Sequence, residues 1–268
     1  MAVTAAARPS SRYATRALSY WVFAASRSWR LAVVSNIANP VLYLAAMGLG
    51  LGHLVDRTGR SHAGLGGLSY VDFLAPALLA TAALQSSAGE ASYPVMGAIR
   101  WNRTYEAMLA TPLSVLDVWR GHLLFIIGRT TVVCAAFLAV AAAFGALHSP
   151  LAVLMVPVAA LLATGCAGLV AAMAATVEGD VAVAVLFRLI IVPLVLFSGT
   201  FAPLAQLPGW ITPIAYATPL YHAVQLCRGA SAGSLPVGAS VVHLAYLVVL
   251  AAVGYRLAAR AYARRLSR

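Results

Sequence analysis

Residues 130–177 read TTVVCAAFLAVAAAFGALHSPLAVLMVPVAALLATGCAGLVAAMAATV, 48 residues without an Asp, Glu, Lys or Arg. A bilayer crossing needs about 20 mostly apolar residues, and a single helix of this length would reach about 70 Å. The stretch must fold back, and His148-Ser149-Pro150 supplies the turn. It therefore carries most of two antiparallel crossings, 121–147, interrupted only by Arg129, and 151–177.

Working outward, four more apolar runs emerge. Residues 31–55 carry no charge, 73–99 carry only Glu90, 181–200 carry only Arg188, and 237–255 carry none. Between the last two lies 201–228, apolar but broken by Pro203, Pro208, Pro213 and Pro219. Proline interrupts the helix ladder and lipid leaves no backbone group unpaired. This segment is expected to dip in and out of one interface as a helical hairpin, with Trp210, Tyr216 and Tyr221 in the aromatic belt. The expected fold is an all-α polytopic membrane protein with six transmembrane helices and a re-entrant outer hairpin before the last span. Residues 1–268 form one membrane domain.

The composition agrees. Of 268 residues, 62% are hydrophobic and 9% charged, and the mean hydropathy is +0.88. Soluble domains carry about 25% charged residues, so a soluble enzyme, a disordered chain and a collagenous chain are excluded. All 18 basic residues are Arg, against 7 acids. Because the Arg residues flank apolar spans, the excess reads as membrane topology rather than nucleic-acid binding. A P-loop needs a Lys on the nucleotide phosphates, and this chain has none.

With the N-terminus inside, 13 Arg fall on the cytoplasmic side, in the N-terminal segment 1–30, the loop 100–120 and the tail 256–268. Three, Arg57, Arg60 and Arg228, fall outside. Both termini are thus expected in the cytoplasm. The N-terminal segment does not read as a secretory signal. On a helical wheel Arg12, Arg16, Arg27 and Arg30 lie within about 60° of one another, opposite Leu18, Trp21 and Ala25. That pattern predicts an amphipathic helix in the cytoplasmic interface; the alternative is a loose basic tail.

Chemistry-bearing clusters are scarce. None of the six His pairs with another His or a Cys at ligand spacing, so no metal site is expected. Cys134, Cys166 and Cys227 read as packing residues. No nucleophile elbow or acid pair is present. The charges within spans stand out instead. Glu90 and Arg129 each lie nine residues, about 13 Å, from the inner ends of their spans. Neighbouring antiparallel helices would bring them level, with Arg188 as a competing partner. Such a pair either fixes helix register or serves as a pivot or proton site, and Gln85, Ser86 and Ser87 add a polar face nearby.

In the loop RWNRTYEAMLATPLSVLDVWR (100–120), residues 104–109 predict a short surface helix stopped by Thr111-Pro112. It would offer Tyr105, Glu106, Met108 and Leu109 to a partner. Ser114 and Asp117 have capping-box spacing at the start of the next span. Glu178-Gly179-Asp180 is an acidic inner loop that either caps a helix or meets a partner. On the first span Asn36, Asn39, Tyr43 and Met47 share one face, and on the fifth Phe187, Leu194 and Phe197 are further candidates to line a path.

Three stretches carry a family resemblance: YEAMLATPLSVLDVWRG (105–121), FLAPALLATAALQSSAGEASYPV (73–95) and FSGTFAPLAQLPGWITPIAYATPLYHAVQLCRG (197–229). Together they resemble the type-two ABC transporter (ABC-2) permeases, most of all the nodulation-factor and daunorubicin-type exporters. The resemblance implies a multi-pass bacterial plasma-membrane permease working as a dimer, like or unlike, with a separate ABC ATPase pair that holds the ATP and Mg²⁺. It implies no catalytic residue and no cofactor in this chain. It also implies that Tyr105–Leu109 inserts into the ATPase with Glu178 and Asp180 nearby, that spans one and five line the path, and that a hydrophobic or lipid-linked molecule (drug, glycolipid or saccharide) is exported. The competing readings are a proton-coupled transporter using Glu90 and a non-transporting assembly subunit.

Overall fold

A computed structural model describes residues 11–27, 29–46, 50, 69–206 and 208–267. Met47, the side chain of Asn36 and the segment with Arg57 and Arg60 lie outside the described residues. Within them all regular structure is helical. In chain order the helices are α1 (Ser11–Ser26), α2 (Trp29–Tyr43), α3 (Tyr70–Ala91), α4 (Tyr93–Arg100), α5 (Thr104–Leu109), α6 (Val115–Ala143) and α7 (Met155–Thr176, after a 3₁₀ turn Pro150–Leu154). Then come α8 (Val181–Val185), a π turn (Leu186–Ile191), α9 (Val192–Phe197), α10 (Thr212–Tyr216), α11 (Pro219–Ala232) and α12 (Val237–Leu266).

The fold-back in 130–177 has a local cause. At the end of α6, Gly145 takes φ +72. Its amide donates to Ala142 O and the next amide, Ala146 N, donates to Ala141 O, both at 3.0 Å. This Schellman pair closes the helix, and Ser149 Oγ then accepts from Leu151 N to open the return leg. The start of α6 is equally local: Ser114 and Asp117 form the reciprocal capping box.

Among the described residues four helical stretches are long and apolar enough to cross a bilayer: Tyr70–Arg100, Val115–Ala143, Pro150–Thr176 and Val237–Leu266. The expected fifth span is a 17-residue stretch, Val181–Phe197, with a π turn in its middle. Pro193 cannot donate to a carbonyl one turn back, and a widened turn just before it accommodates that loss. The first expected span is helical over α2, with the rest of it largely outside the described residues. The described part of segment 201–228 holds a 3₁₀ turn (Leu204–Gln206), α10 and the greater part of α11, which runs on to Ala232.

Helix α3 is central, buried by α6, α7 and α11. It breaks at Ser92, where Pro94 cannot donate to the Glu90 carbonyl, and continues as α4. Helix α1 is docked rather than loose. Ala14 and Ala17 are buried and Leu18, Trp21 and Ala25 pack on the core, while Arg16 and Arg27 face outward. Gly121 of α6 permits this, because a Cβ there would stand 2.5 Å from Ala17 Cβ and 2.7 Å from Ala14 O.

The tightest seam joins α7 to α12. A Cβ on Gly168 would meet Gly254 C at 2.3 Å, and one on Gly254 would meet Gly165 O at 2.4 Å. Lipid offers no hydrophobic drive for helix pairing, so close backbone packing through small residues must supply the attraction. Gly168→Ala is expected to destabilise the chain by about 1–3 kcal/mol, read as a lower midpoint in a thermal scan in detergent. Gly128→Ala, where a Cβ meets nothing within 4 Å, is expected to leave the midpoint in place.

Candidate functional site: an intramembrane cavity and the Arg-rich end

Inside the bundle lies a cavity of about 310 Å³. The α2 residues Asn39 and Tyr43 face Gln85, Ser86 and Glu90 of α3 and Arg129 and Phe137 of α6 across it, with Val195 of α9 closing one side. Arg129 Nε stands 3.2 Å from Glu90 Oε1, the two residues that equal depth from the span ends brings level. Thr130 Oγ1 and Ser86 Oγ are 3.4 Å apart beside them. Both charged side chains keep partial access to the cavity, so water in it can share their solvation. The lining mixes amide, hydroxyl and ionic groups with aliphatic and aromatic ones, and α2, α3 and α6 each contribute both kinds.

Not every candidate arrives there. Arg188 sits in the π turn, exposed, and makes no ion pair among the described residues. Phe187 and Leu194 pack against the core and Phe197 is exposed; the residue that reaches the cavity is Val195. A π turn adds one residue per turn and rotates whatever follows, and the three span-five candidates rest on no register that could place Val195.

At the Arg-rich end the short helix α5 divides its four candidates. Tyr105 is 0% exposed and Met108 8%, so neither is available to a partner as the loop sequence suggests. Glu106 is exposed, 3.9 Å from Arg103, and Leu109 is half-buried. Arg103, at φ 48, makes the left-handed turn that separates α5 from α4. The apolar side of so short a helix has to be buried for it to form at all, which turns Tyr105 inward.

Tyr105 lands in a junction of four elements. Its hydroxyl is hydrogen-bonded to His122 Nδ1 of α6 and, at 3.0 Å, to the Tyr262 hydroxyl of α12. Trp21 of α1 stacks on His122 with ring centroids 3.9 Å apart and planes 7° apart, and Trp119 packs on Tyr262 at 5.1 Å. Burial pushes the Tyr105 hydroxyl well above the usual phenol range, so it stays a neutral donor and acceptor. Nothing in sequence spacing marked His122 or Tyr262; the only hint was Trp21 on the apolar side of α1. The loop after α7 is fastened separately. Arg100 donates to the carbonyl oxygens of Val177 and Glu178, leaving the Glu178 and Asp180 side chains exposed.

At the opposite end Arg228 is half-buried and, among the described residues, forms no ion pair with a carboxylate. It donates to Phe73 O at 3.1 Å, Gly199 O at 2.8 Å and Thr200 O at 3.2 Å, with its guanidinium 3.6 Å over the Phe73 ring. His222 and His243, 21 residues apart, bring their Nδ1 atoms within 2.8 Å, a pairing that ligand spacing along the chain does not reveal. Burial, and then the neighbouring ring, hold His222 below the usual imidazole range. Among the described residues no three His, Cys, Asp or Glu side chains gather as a metal site would need.

The profile of the ABC-2 type transporter family matches residues 16–231. The chain belongs to that family. Among characterised proteins it is similar to Nodulation protein J of Rhizobium leguminosarum bv. viciae, 29% identical over 236 residues, 88% of each chain. Its counterpart in Rhizobium leguminosarum bv. trifolii is 30% identical over 245 residues, 90% of each. That of Bradyrhizobium diazoefficiens is 29% identical over 231 residues, 81% of this chain and 84% of the other. The match runs through both the cavity and the α5 loop. Nothing in it indicates an ATPase or other enzyme domain.

Two outcomes test this geometry. Glu90→Leu strands Arg129 and is expected to cost about 1–3 kcal/mol, below the 3–5 of a dry pair because the cavity admits water. In a double-mutant cycle with Arg129→Leu, thermal midpoints should show the two losses to be strongly non-additive. Tyr105→Phe removes two buried hydrogen bonds and should lower stability by about 1–3 kcal/mol. Glu106→Ala, on the exposed side of the same helix, should stay within about 0.5 kcal/mol of the parent.

Proposed function

We propose that this chain is the membrane-spanning permease of an ATP-driven exporter in the bacterial plasma membrane. In this reading the chain crosses six times, with α2 as part of the first crossing and Val181–Phe197 as the fifth. Both termini and the α5 loop lie in the cytoplasm, and 201–228 forms the outer hairpin. The observation that carries the reading is the polar cavity set against α2 and α9 in a chain without a single Lys. The cavity supports a pathway, and a chain without Lys has no P-loop lysine to power it. Energy must then come from a partner, an ABC ATPase pair carrying ATP and Mg²⁺, and a second permease chain would complete the path.

The exposed Glu106 and the half-buried Leu109 of α5, with the Glu178 and Asp180 side chains, form the surface offered to the ATPase. Tyr105 and Met108 serve the same step from inside, by fixing α5 to α1, α6 and α12. A push on α5 is then delivered to three helices at once. Spans one and five, through Asn36, Asn39, Tyr43, Met47, Phe187, Leu194 and Phe197, contribute to the path, with the last three turned toward the second permease chain or the core rather than the cavity. The mixed cavity wall suits an amphipathic cargo, a hydrophobic or lipid-linked molecule with a polar head.

The docking test is Glu106→Arg with Leu109→Arg. The double variant should express and fold as the parent does, yet lose co-purification of the ATPase and at least about 90% of ATP-dependent transport in vesicles. Full transport in that variant would remove α5 as the docking element. Cargo movement driven by a proton gradient with no ATPase present would instead favour a secondary transporter built on Glu90.

A further inference from the structure

Past the glycine crossing of α7 and α12 a groove of about 470 Å³ lies between them at the Arg-rich end. Ala172, Met173 and Thr176 form one wall, and Leu257, Arg260 and Arg264 the other. We propose that this groove is a binding site for the phosphate headgroup of an anionic phospholipid. The proposal needs only that these helices span a bilayer and stands whether or not the chain is an exporter.

Depth is the first argument. Helix α12 has 30 residues, about 45 Å, against a hydrocarbon core of about 30 Å. Arg260 and Arg264 lie six and ten residues beyond Gly254, about 9 and 15 Å past the crossing. Thr176 is eight residues, about 12 Å, past Gly168. The groove mouth is therefore level with the two Arg and in the headgroup zone.

Charge is the second. No acidic residue lines the groove. The ion pairs among the described residues, Arg103–Glu106, Arg129–Glu90 and His148–Asp72, lie elsewhere. Two guanidinium groups four residues apart on one helix face repel each other mildly and present a fork suited to phosphate oxygens. Basic recesses between spans are where acidic lipid headgroups settle.

Continuity with the lipid surface selects a lipid over a free anion. Leu257, Val253 and Val249 recur every four residues and are all exposed, so they form an apolar ridge leading from the groove along α12. A headgroup held by Arg260 and Arg264 would lay an acyl chain against that ridge. Inorganic phosphate would leave it unused.

The full-length chain in detergent, titrated with dioleoyl phosphatidylglycerol and followed by native mass spectrometry, should retain one tightly held lipid per chain. Dioleoyl phosphatidylcholine should be retained at least about tenfold less well. Each Arg near the surface contributes about fivefold, so Arg260→Gln with Arg264→Gln should weaken phosphatidylglycerol retention about 30-fold. Arg265→Gln, outside the groove, should change it less than about twofold. Millimolar inorganic phosphate should not displace the lipid. Equal retention of both lipids, unchanged retention in the double variant, or displacement by phosphate would each overturn the site. So would a double variant that keeps its lipid but loses a co-purifying acidic protein, which would make the groove a protein contact.

Discussion

Hydrocarbon solvates neither a bare peptide group nor a charge, and most of the architecture follows from how that constraint is met. The uncharged stretch 130–177 can turn only where a Schellman closure and a serine cap satisfy the freed backbone groups. Glu90 and Arg129 neutralise each other beside a cavity that water can enter. Arg228 is wrapped in carbonyl oxygens. Arg188 is the exception, an exposed cation in a π turn amid exposed Val185, Leu189 and Ile190. In the proposed dimer that face meets the second chain or the aqueous path, either of which relieves the cost that lipid would impose.

A second consequence concerns stiffness. The glycine seam between α7 and α12 brings backbone against backbone, and the Tyr105 junction welds a six-residue helix to α1, α6 and α12. A helix as short as α5 has little stability of its own. It can transmit force only through what holds it, which makes its buried side as important to the proposed coupling as the side a partner would touch.

The helical class, the turn at His148–Pro150, the extent of α5 and the capping box at Ser114 were all legible in the sequence, because each rests on local chemistry or on hydropathy summed over long windows. The level placement of Glu90 and Arg129 was legible too, since rise per residue is constant in a regular helix. What escaped depended on irregularity or on distant partners. On the span with the π turn before Pro193 it is Val195 that lines the cavity, and its irregular winding leaves no constant register to count from. The inward turn of Tyr105 depends on His122 and Tyr262, the latter 157 residues away. The meeting of His222 with His243 depends on how α11 lies on α12.

The wrapping of Arg228 sets the chemistry of the far end. An arginine bridged to a carboxylate comes loose in acid as the carboxylate takes up a proton. Here the acceptors are peptide oxygens and a phenyl face, which have nothing to titrate. Among the described residues the clasp joining α3, α11 and the end of α9 thus has no acceptor of its own for acid to release, and a proton that opened this end would have to act through the neighbouring His222–His243 and His148–Asp72 contacts.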